Sequence, residues 1–308
     1  MPFLMQNRIT RSHFETQDHI ELGQGGTVGD YNDGFLNRLV TQLGGRAQPF
    51  ALTAQLPLSL RGPARVANGV PDQAGAQAAL PARQQALLQQ MWNRTRLGPS
   101  VQEGFDVQAI SRRDMEAAQN GIDGGKLAAE MLAASRGAPY PGKFVAEAQR
   151  LGILMRDSFN IGFIDVGGWD THVAEAAENG AQGILANRLG ELGQGLAMLP
   201  TVMGPAWQHT VVVVISEFGR TFRENGNHGT DHGHGTVYWV LGGNIQGGRV
   251  AGEQVQLSES TLNQNRDYPV LTDYREMLGG MFSKMWGLSP ARTQRVFPES
   301  SPLDLRFI

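Results

Sequence analysis

Four consecutive valines at 211–214, inside the run 210–216, constrain this chain more than any other feature. β-branched side chains in succession are stiff at χ1 and suit a strand better than a helix. An uninterrupted apolar run leaves neither face polar, so the strand is expected to be buried on both sides, as in sheets covered by helices. Residues 161–166, Ile-Gly-Phe-Ile-Asp-Val, read as a second short buried strand, and residues 237–241 as a third. Apolar positions at helical spacing predict a long helix over 173–199, with Pro200 as its stop. Strands alternating with long helices point to an α/β fold, a mostly parallel sheet in a three-layer α/β/α sandwich. The chain of 308 residues, 41% of them hydrophobic, supplies an ample core for one such domain.

The first half is less regular. Ser12 and Glu15 fit a capping box at the start of a helix, residues 23–34 read as a loop, and 35–43 as a short amphipathic helix ended by Gly44 and Gly45. A short strand is expected within 51–60. Residues 72–96 and 112–135 are rich in helix formers, and a helix resumes at 144–151 after Pro139 and Pro141.

Composition removes several function classes. A net charge of −3 without basic clusters argues against a nucleic-acid partner. No apolar run approaches the ~18–20 residues that cross a bilayer. Residues 1–8 carry no basic segment followed by an apolar one, so no signal peptide is expected there. Without cysteine, disulfides, thiolate metal sites and cysteine nucleophiles are excluded. Any metal is then held by His, Asp and Glu, donors that suit zinc, manganese, iron, calcium or magnesium.

Ligands of open α/β sheets gather at the carboxyl ends of the strands, which directs attention to 167–172, 217–235 and whatever follows Leu241. Three of the seven histidines lie between 228 and 234, and Asp231, His232 and His234 are interleaved there with Gly229, Gly233 and Gly235. Glycines let such a loop turn so that neighbouring side chains converge, and imidazole with carboxylate is the donor set of zinc, manganese or iron. Asp170 and His172, two apart in an extended loop, point the same way; one residue of that stretch also suits the cap of the helix expected at 173. Glu217 reads as a further ligand or as an acceptor that orients a histidine. Arg220 is suited to gripping an oxyanion, or to pairing with Glu217. Asp165 is a weaker candidate. Ser12 is either a cap or a hydroxyl nucleophile in the anion-friendly field of a helix start, and His13 beside it a ligand or substrate contact.

Gly-Gly-Trp-Asp-Thr-His at 167–172, Ser-Glu-Phe-Gly-Arg-Thr at 216–221 and Gly-Thr-Asp-His-Gly-His-Gly at 229–235 together resemble a family known as domain of unknown function 1501, usually exported by the twin-arginine route. Arg-Ser-His-Phe at 11–14 with Gln17 and Asp18, and Leu-Thr-Asp-Tyr-Arg at 271–275, are similar to further motifs of that family. The family looks like a branch of the alkaline phosphatase superfamily, with its sulfatases and phosphodiesterases. The resemblance implies a metal on Asp170, His172 and His234, with Glu217, Asp231 and His232 for the remaining positions, and Ser12 near the nucleophile. It also implies a periplasmic or secreted location. The family's first strand, with its Gly-Gly-x-Asp-Gly loop, has no counterpart here, and a second copy of the chain is one way to replace missing edge structure.

These readings converge on a metal-dependent hydrolase of a small anionic ester, phosphate or sulfate, with Ser12, Glu217 and Arg220 as catalytic candidates. The alternatives are a binding or structural protein that keeps the fold and a metal without turnover, and a metal-dependent oxidoreductase.

Overall fold

A computed structural model describes residues 11–25, 30–71, 135–177 and 180–308. The helices expected over 72–96 and, but for Ser135, over 112–135 lie outside the described residues. In chain order the principal elements are α1 (His13–Leu22), α2 (Phe35–Leu43), β1 (Pro49–Leu52), β2 (Ala67–Gly69), α3 (Phe144–Asp157), β3 (Ile161–Ile164), α4 (Ile184–Met203), β4 (Val211–Val214), β5 (Trp239–Gly242), α5 (Tyr274–Trp286) and α6 (Pro290–Val296). The fold is α/β. Strands β2, β1 and β3 form a parallel sheet in that order, with Pro49 opposite Ile161 and Leu52 opposite Ile164. Strand β5 pairs antiparallel to β4, which qualifies the expectation of a mostly parallel sheet.

The valine run behaves as its chemistry requires. Side chains alternate across a strand, so Val211 and Val213 pack on a core built from α2, α5 and α6, including Leu39, Met281 and Phe297. Val212 and Val214 pack on the opposite core, from Phe144 and Ala148 of α3 and Leu192, Leu196 and Leu199 of α4. The four valines are half-buried rather than fully buried. Among the described residues β4 has one hydrogen-bonded neighbour, so its other edge contributes exposure.

Three expectations need correction. The helix predicted over 173–199 begins at Ile184 and runs through Pro200 to Met203. Residues 174 and 175 instead donate their amides to the carbonyls of Asn227 and His228, at 3.0 and 2.8 Å. Ala174 and Gly183 take positive φ values of 47° and 112°, which a continuous helix does not allow. The loop thus outcompetes the helical periodicity. Pro200 sacrifices one amide donor inside α4, but burial of Leu199 and Met203 on either side keeps the last turn in place. Ser12 does occupy the N-cap of α1, yet its side chain makes no cap hydrogen bond, so the capping box is not formed. The short strand expected within 51–60 lies at 49–52, and Leu58–Leu60 is a 3₁₀ turn. No helix among the described residues is long and apolar enough to cross a membrane.

Candidate metal centre

Strand β3, of the three-stranded sheet, and β4, which pairs with β5, both run out into loops that carry the conspicuous polar residues. After β3 come Asp170 and His172; after β4 come Glu217 and Arg220, then the glycine-rich 229–235 segment. The backbones interlock closely. The Gly219 amide donates to His234 O at 2.9 Å and the Gly233 amide to Gly219 O at 2.7 Å. A Cβ on Gly229 would lie 2.3 Å from the carbonyl carbon of His172, and one on Gly219 only 1.9 Å from Gly235 O. Glycine is therefore what lets the two loops touch. The start of α1 closes the third side with His13.

At the point of convergence, Asp170 Oδ1 meets four nitrogens. His172 Nε2 lies at 2.8 Å, His232 Nε2 at 2.9 Å, Arg220 Nη1 at 2.8 Å and His13 Nε2 at 3.3 Å. His172 Nε2 and His232 Nε2 are themselves 3.0 Å apart. Ligand atoms of His13, Asp170 and His232 all lie within 4.8 Å of one another. Donors held ~2.0 Å from a tetrahedral zinc stand roughly 3.3 Å from each other, close to the separations seen here.

The other ring nitrogens fix which nitrogen is free to bind. His13 Nδ1 is 2.6 Å from Glu217 Oε1, and His232 Nδ1 is 2.6 Å from the Arg11 carbonyl oxygen. A carbonyl can only accept, so His232 Nδ1 carries a proton, and the Nε2 that faces Asp170 is the nitrogen left to bind an ion. His172 Nδ1 lies 3.4 Å from Asp231 Oδ1. Every imidazole of the cluster thus has an oxygen on Nδ1, the pattern that orients metal-bound histidines. Protons alone satisfy the inner atoms poorly. Two N–H bonds 3.0 Å apart would compete for one carboxylate oxygen, and His13 Nε2 is buried without a well-aligned hydrogen bond. The donor set fits a divalent ion.

The cluster is charged when metal-free. Burial alone would lower the His13 pKa, but the carboxylates of Asp170 and Glu217, at 3.3 and 2.6 Å from its ring nitrogens, push it up to about 9. Burial would raise the Asp170 carboxyl, yet His13, His232 and Arg220 hold it well below the usual carboxylate range. A raised histidine stabilises fully below its unfolded value of 6.5 and ceases to do so as pH climbs through about 9. A depressed carboxylate stabilises fully above 3.8 and is lost as pH falls towards its folded value. Chelator-treated protein is therefore expected to be most stable, as far as this pair decides, between pH 3.8 and 6.5, with a lower urea midpoint at pH 9. His13→Gln should flatten that alkaline decline. Equal midpoints for the wild type at pH 6 and 9 would show that Asp170 and Glu217 do not hold a proton on His13.

The remaining candidates are distributed around this point. Asp231 sits behind His172, its carboxyl lowered mainly by the Asn225 amide. His234 turns away to Asp267, with Nδ1 2.7 Å from Oδ2. Glu217 accepts from His13. Arg220 spends its guanidinium on Asp170, Thr230 Oγ1 at 3.0 Å and the Thr230 carbonyl, and has no ion pair with Glu217. Ser12 stands at the helix start, one residue from His13. Asp165 lines a small cavity with Tyr140, Lys143 and Glu147, and burial raises its carboxyl to about 7.

Two more residues belong here: Asp267, which has no local signal, and Arg11, noticed only as part of the Arg-Ser-His-Phe motif at 11–14. Asp267 is completely buried and links His234 to Arg11, whose carbonyl holds His232. The sequence around 267 is Asn-Arg-Asp-Tyr-Pro, which marks a turn and nothing more. The chain matches no curated protein and no solved structure. Residues 6–297 do match the model of one protein family, described only as protein of unknown function. The interlocked loops, the histidine cluster and the core that carries them all fall within that span, and the chain belongs to the DUF1501 family.

Proposed function

We propose that this protein is a metal-dependent hydrolase of a small anionic ester, phosphate or sulfate, with the fold and chemistry of the alkaline phosphatase superfamily. The observation that carries the reading is the convergence of three imidazole Nε2 atoms on Asp170 Oδ1 beside the start of α1. A divalent ion held there would supply Lewis-acid polarisation of an ester oxygen. His13, His172 and His232 hold that position while Glu217, Asp231 and the Arg11 carbonyl fix their rings. The side chains of His13, Asp170, His172 and His232 keep between 11% and 24% of their surface exposed, so a small substrate reaches them. The first-turn amides of α1, not capped by the Ser12 side chain, favour an anionic group nearby. The Ser12 hydroxyl, uncommitted to a cap, is the nucleophile this reading assigns. Arg220 serves as a brace for Asp170.

One feature favours a second reading, a metal-binding protein without turnover. His172, whose Nε2 stands 3.0 Å from His232 Nε2, would add a fourth donor to His13, Asp170 and His232, and closed four-donor shells are typical of structural sites. Metal analysis followed by 4-nitrophenyl phosphate, bis(4-nitrophenyl) phosphate and 4-nitrophenyl sulfate assays separates the two. The hydrolase reading expects about one divalent ion per chain, release of nitrophenol, and its loss on chelation. Bound zinc or manganese with no turnover of any ester would move the assignment to the non-catalytic role. Iron with redox-dependent chemistry would favour an oxidoreductase.

A further inference from the structure

We infer that Asp267 is a positioning residue for the metal centre, acting on His232 through the backbone carbonyl of Arg11; the inference rests on the metal reading above. Asp267 has no exposed side-chain surface and uses both carboxylate oxygens. Oδ1 accepts from Arg11 Nη2 at 3.0 Å, and Oδ2 accepts from His234 Nδ1 at 2.7 Å. Arg11 is held a second time by Gln264 Oε1 at 2.9 Å. Its carbonyl oxygen, in turn, stands 2.6 Å from His232 Nδ1.

The link joins residues far apart in sequence, with 256 positions between Arg11 and Asp267 and 221 between Arg11 and His232. Nothing local fixes the Arg11 carbonyl, because residue 11 precedes the first hydrogen-bonded turn of α1. The guanidinium anchored on a buried carboxylate does so instead. Asp267 is itself fixed by backbone bonds with Asn263, whose amide donates to Asp267 O at 2.8 Å. The Gly233 position, next to His232, lies so close that a Cβ there would be 2.8 Å from Asp267 Cβ. The carboxylate is therefore packed against the very loop whose imidazole it orients. With the carbonyl in place, His232 keeps its proton on Nδ1 and its lone pair on Nε2. With the carbonyl displaced, the ring is free to change tautomer or rotate, and one ligand is lost. His234 finds its role in the same link, as the donor that orients Asp267.

Asp267→Asn preserves shape but leaves one oxygen to serve two donors, Arg11 and His234. Arg11→Gln keeps the carbonyl and removes its anchor at a partly exposed position, where folding is least at risk. The test is cobalt(II) titration of metal-free wild type, both variants and the double variant, read by visible absorption. Changes to residues that orient ligands typically cost about 10–100-fold in metal affinity. A loss in that range is expected for each single variant, with an altered cobalt spectrum. The double variant is expected to lose no more than the worse single, since both cut one link. Asp273→Asn, which disturbs a buried aspartate paired with Arg275 and outside the His13, Asp170 and His232 cluster, should leave the spectrum unchanged. Wild-type affinity and spectrum in both single variants would overturn the inference, as would multiplicative losses in the double variant. Wild-type protein that takes up no cobalt overturns the metal reading itself and this inference with it.

Discussion

Asp170→Ala is expected to abolish metal retention and, separately, to weaken the metal-free fold. Its Oδ1 lies within 3.3 Å of three imidazole nitrogens and the Arg220 guanidinium, so no other residue shares its place at the centre. Loss of a direct donor should exceed the roughly 100-fold upper range for residues that merely orient ligands. Elemental analysis after dialysis should therefore find the variant empty beside loaded wild type. The second effect follows from charge. Only 11% of the Asp170 side chain is exposed, and its removal leaves Arg220 without its carboxylate partner and protonated His13 with Glu217 alone. Breaking a buried pair from one side costs about 3–5 kcal/mol. Urea unfolding of chelated samples at pH 6 reads this directly. Metal content equal to the wild type would remove Asp170 from the centre; equal stability would show that Arg220 and His13 find other partners.

Gly219→Ala should be nearly as damaging, for a steric reason. The added Cβ falls 1.9 Å from the carbonyl oxygen of Gly235 and 2.8 Å from its carbonyl carbon, atoms that cannot swing aside as a side chain would. The ladder between Gly219 and residues 233–234 must open, which drags the His232 and His234 loop away from Asp170. Overpacking of this kind costs about 1–3 kcal/mol, and a backbone clash belongs at the upper end. Gly193→Ala provides the contrast, since nothing lies within 4 Å of that position on α4 and alanine favours a helix by about 1 kcal/mol. Opposite shifts in urea midpoint are expected, with metal lost only from Gly219→Ala. A Gly219→Ala protein with wild-type stability and metal content would mean that the segments around Gly219 and Gly235 are not interlocked as described.

The contrast between those glycines shows what the sequence can reveal. The valine run announced β4 because four β-branched residues admit little else, and their alternation between two cores follows from strand geometry alone. The loops after β3 and β4 were legible as well: Asp170 with His172, and His232 with Asp231 and His234, stand in two sequence motifs of unusual composition. His13 was ambiguous, because a lone histidine at a helix start serves equally as cap neighbour, substrate contact or ligand. Its function depends on Asp170 and Glu217, residues more than 150 positions away. Asp267 and the Arg11 carbonyl were invisible for the same reason, and a backbone atom has no residue type to betray it. The error at 173–183 has another source. That stretch carries helical spacing, but its amides are claimed by Asn227 and His228, a tertiary bond that periodicity does not register.

The chain contains no cysteine, so no covalent bridge ties its distant segments together. His172 and His232 stand 60 residues apart, and His13 lies 204 residues before its partner Glu217. An ion held by His13, His172 and His232 would act on chain entropy as a cross-link does. By the estimate used for disulfides, closing a 60-residue loop removes about 4 kcal/mol of freedom from the unfolded ensemble. Such a staple is indifferent to thiol redox balance, and its making and breaking answer to metal supply and pH. The durability of this fold would then be set by competition for divalent ions in its surroundings, and a strong chelator would act on it as a reductant acts on a disulfide-bonded protein.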